Sequence, residues 1–106
     1  MKYYPFPVSP DVITGKENNP DLFIRTVFFE PGYSEESFHL HPNSFEFYIV
    51  LSGSLIFENG TLDRSKAISN SIIYFEANEQ HRIVSVSQTS TILLIKKIGA
   101  DKQLVS

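Results

Sequence analysis

The residues that most constrain this chain are His39 and His41, which are separated by a single leucine. Successive side chains of a β-strand point to opposite faces, so two histidines at this spacing point the same way and can hold one ion together. A polar turn at residues 42–44 leads into a second strand that brings Glu46 back to the same place. His81, the third and last histidine, begins another strand-like run. Three imidazoles and one carboxylate suit divalent iron, manganese, nickel, cobalt or zinc.

Short apolar runs separated by turn signals make up most of the chain, without a helical periodicity of any length. Such a pattern predicts an all-β protein, either an antiparallel sandwich or a barrel. Turn signals at Ser52-Gly53 and Asn59-Gly60 predict that the chain reverses there. The predicted strands cover residues 22–29, 39–41, 45–52, 54–58, 66–68, 71–75, 81–86 and 91–95.

The run at residues 45–52 is apolar on both faces, which is typical of a strand covered on both sides. Counting alternate residues from Glu46 places Tyr48 and Val50 on the side of the histidines, and Phe47 and Ile49 on the opposite side. We therefore expect Tyr48 to lie on the same side of its strand as the predicted ligands, beside the ion.

The order Gly32, His39, His41, Glu46 and Gly53 resembles the first motif of the cupin superfamily. In that motif a glycine precedes a His-x-His pair, a glutamate follows, and a second glycine closes a hairpin. The resemblance covers residues 22–98 and implies a single antiparallel jelly-roll β-barrel domain there. Residues 1–21 are then an N-terminal arm and loop. Residues 99–106 are a C-terminal tail, which we expect to be loose or draped over the outside.

The second cupin motif is represented mainly by His81. Glu76 stands where the family usually has proline, Asn78 where it has glycine, and Ser85 where it often has asparagine. Asparagine is the residue other than glycine that best tolerates a positive φ, so we expect a turn at Asn78.

The resemblance implies that His39, His41, Glu46 and His81 hold one divalent transition metal ion, which is iron, manganese, nickel or zinc. An ion held by four protein ligands keeps positions open for water, substrate or dioxygen. Cupins with these four ligands include dioxygenases, decarboxylases, sugar isomerases and lyase-like enzymes. The resemblance thus implies a metal-dependent enzyme of dioxygenase, isomerase or lyase type, acting on a small organic molecule. The alternative is a non-catalytic module that binds or senses a small molecule or a sugar.

Several other side chains have two interpretations each. Tyr48 is the candidate catalytic residue, as a hydrogen-bond or proton donor to the substrate, although it could simply fill the barrel. Arg25 could reach inside and hold a carboxylate, or lie on the solvent face. Ser85 is expected to face the cavity. Glu76 and Glu79 either act as acid or base at its rim or are ordinary surface residues.

Composition excludes several classes of protein. The chain has no cysteine, which rules out disulfides and thiolate metal sites. A net charge of -3 without a basic run argues against a nucleic-acid partner. Prolines near the N-terminus do not fit a signal peptide, and no apolar run is long enough for a membrane span, so we expect a cytoplasmic protein without a membrane partner. The apolar outward side of residues 45–51 is compatible with a homodimer.

Overall fold

Seven β-strands and no helix are found in the residues that the computed structural model describes, which are Pro7, residues 23–97 and residues 102–105. Every strand pairing is antiparallel. The predicted arm at residues 1–21 lies outside the described residues apart from Pro7, and so do Leu22, residues 98–101 and Ser106. The strands are β1 (Phe23–Phe29), β2 (His39–Leu40), β3 (Glu46–Asn59), β4 (Arg64–Ile68), β5 (Ser71–Phe75), β6 (His81–Lys96) and β7 (Gln103–Leu104).

The two long strands, β3 and β6, organise the fold. They pair with each other along their whole length, from Glu46 opposite Lys96 to Asn59 opposite His81. The first half of β3 also pairs with β5, and the second half of β6 with β1. The second half of β3 pairs with β4, and the start of β6 pairs with β2. Strand β2 in turn pairs with β7. Both long strands therefore run through two layers, and the prediction of an antiparallel jelly-roll β-barrel is confirmed.

The core lies between these layers. Along the first half of β3 the buried side chains are Tyr48 and Val50, whereas Phe47 and Ile49 are only half-buried. The predicted alternation is therefore correct. Fully burying an aliphatic or aromatic side chain contributes about 1.5–3 kcal/mol to stability, so these residues supply the main favourable contribution to folding. The buried apolar residues are Tyr48, Val50, Leu55, Phe57, Ala67, Phe75, Ile83, Val86 and Ile92.

The hairpin predicted at Ser52-Gly53 is wrong. Strand β3 continues through Gly53, because the residues on both sides of it pair with the same partner strand, β6. The register shifts around this point mark β-bulges, and Gly53 has a φ of +111°, which only glycine adopts readily. The chain therefore bends here without reversing. For the same reason the runs predicted at 81–86 and 91–95 are parts of one strand.

The other predicted turns are present. The chain turns directly after Asn59, whose side-chain oxygen accepts hydrogen bonds from the N–H groups of Thr61 and Asp63. Asn78 adopts the expected positive φ, at 71°. In the tail, β7 pairs with β2, and the Val105 N–H donates to the Phe38 carbonyl at 2.8 Å. The described part of the tail is thus an edge strand and is not loose.

Among the described residues, no helix is long and apolar enough to cross a membrane. The cytoplasmic location expected from the sequence stays a prediction.

Candidate metal centre

Four buried side chains with metal-ligating atoms converge at one end of the barrel. His39 lies on β2 and is paired directly with His81 at the start of β6, while His41 follows β2 and Glu46 begins β3. Their donor atoms all lie within 4.8 Å of one another. None of the four residues is more than 4 % exposed. The structure therefore brings together all four predicted ligands, which we call the donor cluster.

The contacts within the donor cluster fit a bound cation. Oε1 of Glu46 lies 2.7 Å from Nε2 of His81 and 3.0 Å from Nε2 of His41. Nδ1 of His81 lies 2.8 Å from the carbonyl oxygen of Glu79. Because a carbonyl only accepts, Nδ1 must carry a proton, and Nε2 of the neutral ring then presents a lone pair to the carboxylate. Two lone pairs at this distance require a shared cation, either a proton or a metal ion.

The spacing also suits a metal ion. Ligand atoms about 2.1 Å from one ion lie about 3 Å apart when they are adjacent, which matches the Glu46 contacts. The Glu79 carbonyl fixes the orientation of the His81 ring, as such groups commonly do for histidine ligands.

The protonation states are those a metal requires. Burial lowers the pKa of His39 to about 3, with the nearby His81 and Lys102 acting in the same direction, so its ring is neutral. Burial alone would raise the pKa of Glu46, but its close interactions with His41 and His81 outweigh this and hold it below its usual range. At neutral pH the centre thus offers a neutral imidazole at His39 and an ionised carboxylate at Glu46.

Two aromatic residues support the donor cluster. The Phe75 ring stacks on His81, with centroids 4.0 Å apart and planes inclined by 11°. The Tyr48 hydroxyl donates a long hydrogen bond of 3.4 Å to Oε2 of Glu46. Burial, together with the Glu46 charge, raises the pKa of Tyr48 well above its usual value, so the phenol stays protonated.

A cavity of about 310 Å³ opens beside the donor cluster, and His39, His41, Glu46 and Tyr48 form part of its wall. Arg25 also lines this cavity although its side chain is exposed, so it is placed where it can hold a carboxylate, one of its two interpretations. The rest of the wall comes from β1, the loop after it, β6 and the tail. These residues are Phe23, Val27, Phe29, Tyr33, Glu35, Ile83, Leu94, Lys96 and Lys102.

Sequence reasoning missed Glu35, Tyr33, Lys96 and Lys102 as wall residues. Glu35 accepts hydrogen bonds from the Ile83 N–H at 2.7 Å and from the Tyr33 hydroxyl at 3.1 Å. Burial, with the adjacent Glu35 charge, raises the pKa of Tyr33 to about 12. Tyr33 and Glu35 lie in the loop between β1 and β2, and no local sequence pattern predicts the path of that loop. Lys96 could have been found from its pairing with Glu46 had the register of β6 been known.

Ser85 and the two glutamates near His81 do not line the cavity. A register shift between Ile56 and Phe57 leaves Ser85 opposite Ile56, on the half-buried outer side, which corrects the expectation for this residue. Glu79 accepts a hydrogen bond from the Glu76 N–H in an exposed turn, and its contribution to the site is made by its backbone carbonyl.

The fold and the site together define the class of this protein: it is a small antiparallel jelly-roll barrel with a candidate metal centre of three histidines and one glutamate. A family model described as the cupin domain matches residues 25–95, and the chain belongs to the cupin superfamily.

Solved structures with the same fold share little sequence with this chain. A sugar phosphate isomerase of the cupin superfamily from Silicibacter pomeroyi is 20 % identical over 78 % of this chain and 54 % of its own, with a TM-score of 0.66. The DMSP lyase DddQ from Ruegeria pomeroyi is 17 % identical over 88 % of this chain and 48 % of its own, with a TM-score of 0.70. KdgF from Halomonas is 18 % identical, over 78 % and 75 %, with a TM-score of 0.68.

At these identities the likeness shows the fold. The chain spans about half the length of the isomerase and lyase chains that it matches. No curated protein matches it at a significant level.

Proposed function

We propose that this protein binds one divalent transition metal ion through His39, His41, Glu46 and His81, and that it is a metal-dependent enzyme acting on a small organic molecule. The observation that carries the proposal is the buried donor cluster, whose ligand atoms lie within 4.8 Å of one another beside an open cavity. The reaction is of dioxygenase, isomerase or lyase type. Isomerase and lyase chemistry are both named for cupin-fold proteins with similar structures, which supports this range.

The chain's own residues have distinct tasks in this proposal. The neutral ring of His39 and the carboxylate of Glu46 supply lone pairs, and the Glu79 carbonyl keeps His81 in the tautomer that points Nε2 at the site. When bound, the ion would polarise a substrate oxygen, lower the pKa of a water molecule or, if it is iron, activate dioxygen. Tyr48 is the proposed catalytic residue, since its protonated hydroxyl lies in the cavity wall beside Glu46 and can donate to a substrate.

Metal content tests the first part of the proposal. Protein purified without added metal, or reloaded with iron, manganese, nickel or zinc after chelation, should contain about one ion per chain by elemental analysis. Glu46→Gln should lose most of it, because an amide replaces the charged ligand. Glu76→Gln is the matched control, since this exposed side chain lies outside the cavity, and it should keep its metal. Equal metal content in both variants would contradict the assignment.

Turnover tests the second part. Activity on a panel of carbonyl compounds, hydroxy acids and sugar phosphates should disappear with chelator and return with iron or manganese. Tyr48→Phe should keep the metal and the fold but lower kcat by about 10²-fold or more, the usual contribution of a positioned proton donor. Unchanged kcat in that variant would remove Tyr48 from the catalytic role. Tight ligand binding without any product would instead favour the non-catalytic binding or sensing module.

We also propose that two copies pair through one outer surface of the barrel, which we call the outer face. It consists of Phe45, just before β3, Phe47 and Ile49 on β3, and Ile72 and Tyr74 on β5. Phe47 is paired with Tyr74 and Ile49 with Ile72, so these residues form one apolar patch. Ile72 and Tyr74 are exposed. A patch of this kind buries well against a second copy of itself.

A further inference from the structure

Three cationic side chains line the cavity beside the donor cluster. Arg25 lies on β1, on the same face as Phe23 and Val27, which also line the cavity. Lys96 is the direct pairing partner of Glu46 across β3 and β6, so the two side chains leave the sheet on the same side. Lys102, just before β7, completes the group from the tail.

These cations have no anionic partner within the described ranges 23–97 and 102–105. No side-chain hydrogen bond or ion pair joins Arg25, Lys96 or Lys102 to another residue there, and the Lys96 ammonium lies over the Phe23 ring, 5.8 Å from its centroid. The arginines outside the cavity differ: Arg64 and Arg82 are both paired with Glu58.

The two acidic residues in the described part of the cavity wall, Glu35 and Glu46, already have partners. Glu46 is bonded to two histidines of the donor cluster. Glu35 accepts a backbone N–H and a tyrosine hydroxyl. Among the described residues, the wall thus has more positive than negative charge before any metal ion is counted, and a divalent ion would increase the excess. Such a cavity attracts anions and binds neutral molecules less well.

We propose that the substrate carries a carboxylate or phosphate group, which Arg25 and Lys96 bind while Lys102 adds charge at the rim, and that the other end of the substrate reaches the donor cluster. The inference deepens the proposed function and rests on it for that second contact. An arginine fork binds a carboxylate or phosphate through two parallel hydrogen bonds, and a lysine adds a point charge. A cavity of about 310 Å³ is near the lower limit for ligand sites, which favours a small anion.

A matched series of ligands tests the proposal. Lactate, malate and 3-phosphoglycerate share a 2-hydroxycarboxylate end that can chelate a metal, and their other ends carry no charge, a carboxylate or a phosphate. Affinities are measured on cobalt(II)-loaded protein by calorimetry and by the visible absorbance of the ion. We expect malate or 3-phosphoglycerate to bind about tenfold tighter than lactate, with the better of the two identifying the anion. The preference should fall as salt is raised.

Variants assign the preference to the cations. Arg25→Gln and Lys96→Gln should each reduce it to about threefold or less, and Arg25→Lys should keep part of it. Lys66→Gln is the control, because it removes the same charge from an exposed position on β4, outside the cavity. Lactate affinity should fall less than malate or 3-phosphoglycerate affinity in Arg25→Gln and Lys96→Gln, because lactate lacks the second anionic group, and it should not change in Lys66→Gln. An unchanged preference in Arg25→Gln and Lys96→Gln, or no preference in the original protein, would overturn the proposal.

The outcome separates this inference from the metal proposal. If the protein takes up no cobalt, the metal proposal fails, and the anion site is then tested with inorganic phosphate on metal-free protein. Phosphate should bind the original chain and Lys66→Gln more tightly than Arg25→Gln. Equal phosphate affinity for all three would overturn the anion site independently. Melting temperatures of all variants identify any that fail to fold.

Discussion

Gly53 shows how a single residue sets the shape of the barrel. It has a φ of +111°, and a Cβ placed there would lie 2.5 Å from the Ser90 Cα, so both its conformation and its lack of a side chain are required. Gly32 has a φ of +91° but no atom within 4 Å of an added Cβ. The two positions therefore share the conformational requirement and differ in the contact.

We expect Gly53→Ala to lower the free energy of unfolding by about 2–4 kcal/mol and Gly32→Ala by only about 1 kcal/mol. The first substitution adds a backbone clash with Ser90 to the cost of a positive φ. Urea denaturation of both variants measures the difference. Equal losses would mean that the close approach of β3 and β6 at Ser90 does not matter for stability.

At the level of elements, Glu58 joins three strands. It lies on β3, directly opposite Arg64 on β4 and Arg82 on β6. Arg64 Nε donates to its carboxylate at 2.6 Å and Arg82 Nη2 at 2.8 Å, and the side chain is almost fully buried between them. The hydrogen bond from Arg64, followed in importance by those from Arg82, lowers the pKa of Glu58 despite the opposing effect of burial.

The lowered pKa gives a pH dependence with a definite sign. A carboxylate whose pKa is lower in the folded state stabilises the fold above its unfolded-state pKa, here about 4.5, and loses that contribution as the pH falls through the folded value. Glu58→Gln should therefore melt below the original protein at pH 7, and the gap in melting temperature should narrow progressively below about pH 4.5. Glu76→Gln, at an exposed position, should show no such gap at pH 7. A gap that stays constant down to pH 3 would show that the charge of Glu58 is not what the arginines stabilise.

The elements also explain which features the sequence could predict. The His39 and His41 pair was interpretable because strand alternation is a local rule, and the side chains of the first half of β3 follow it without interruption. The continuity of β3 and β6 was not predictable. Ser52-Gly53 has the composition of a turn, and only the position of the partner strand decides whether the chain reverses or bulges. Lys96 and Lys102 were missed because each depends on pairing between strands distant in sequence.

At the scale of the whole molecule, the barrel has a polar interior at one end and an apolar surface on one side. The donor cluster and the cations Arg25, Lys96 and Lys102 lie at the cavity. The outer face instead carries packed aromatic rings, with the ring centroids of Phe47 and Tyr74 only 4.7 Å apart. A surface charge placed in an apolar contact between two copies loses its hydration, so an aspartate in the outer face should separate them.

We expect Ile72→Asp to convert the proposed dimer into a monomer, because Ile72 is 61 % exposed within the outer face and would be buried by the second copy. Leu62→Asp is the control: Leu62 is 69 % exposed in a turn before β4, and its φ of 65° is one that aspartate tolerates. Light scattering coupled to size-exclusion chromatography should give twice the 12.1 kDa chain mass for the original protein and for Leu62→Asp, and the single mass for Ile72→Asp. A monomeric original protein would refute the pairing. A dimer that survives Ile72→Asp would place the contact on a different surface.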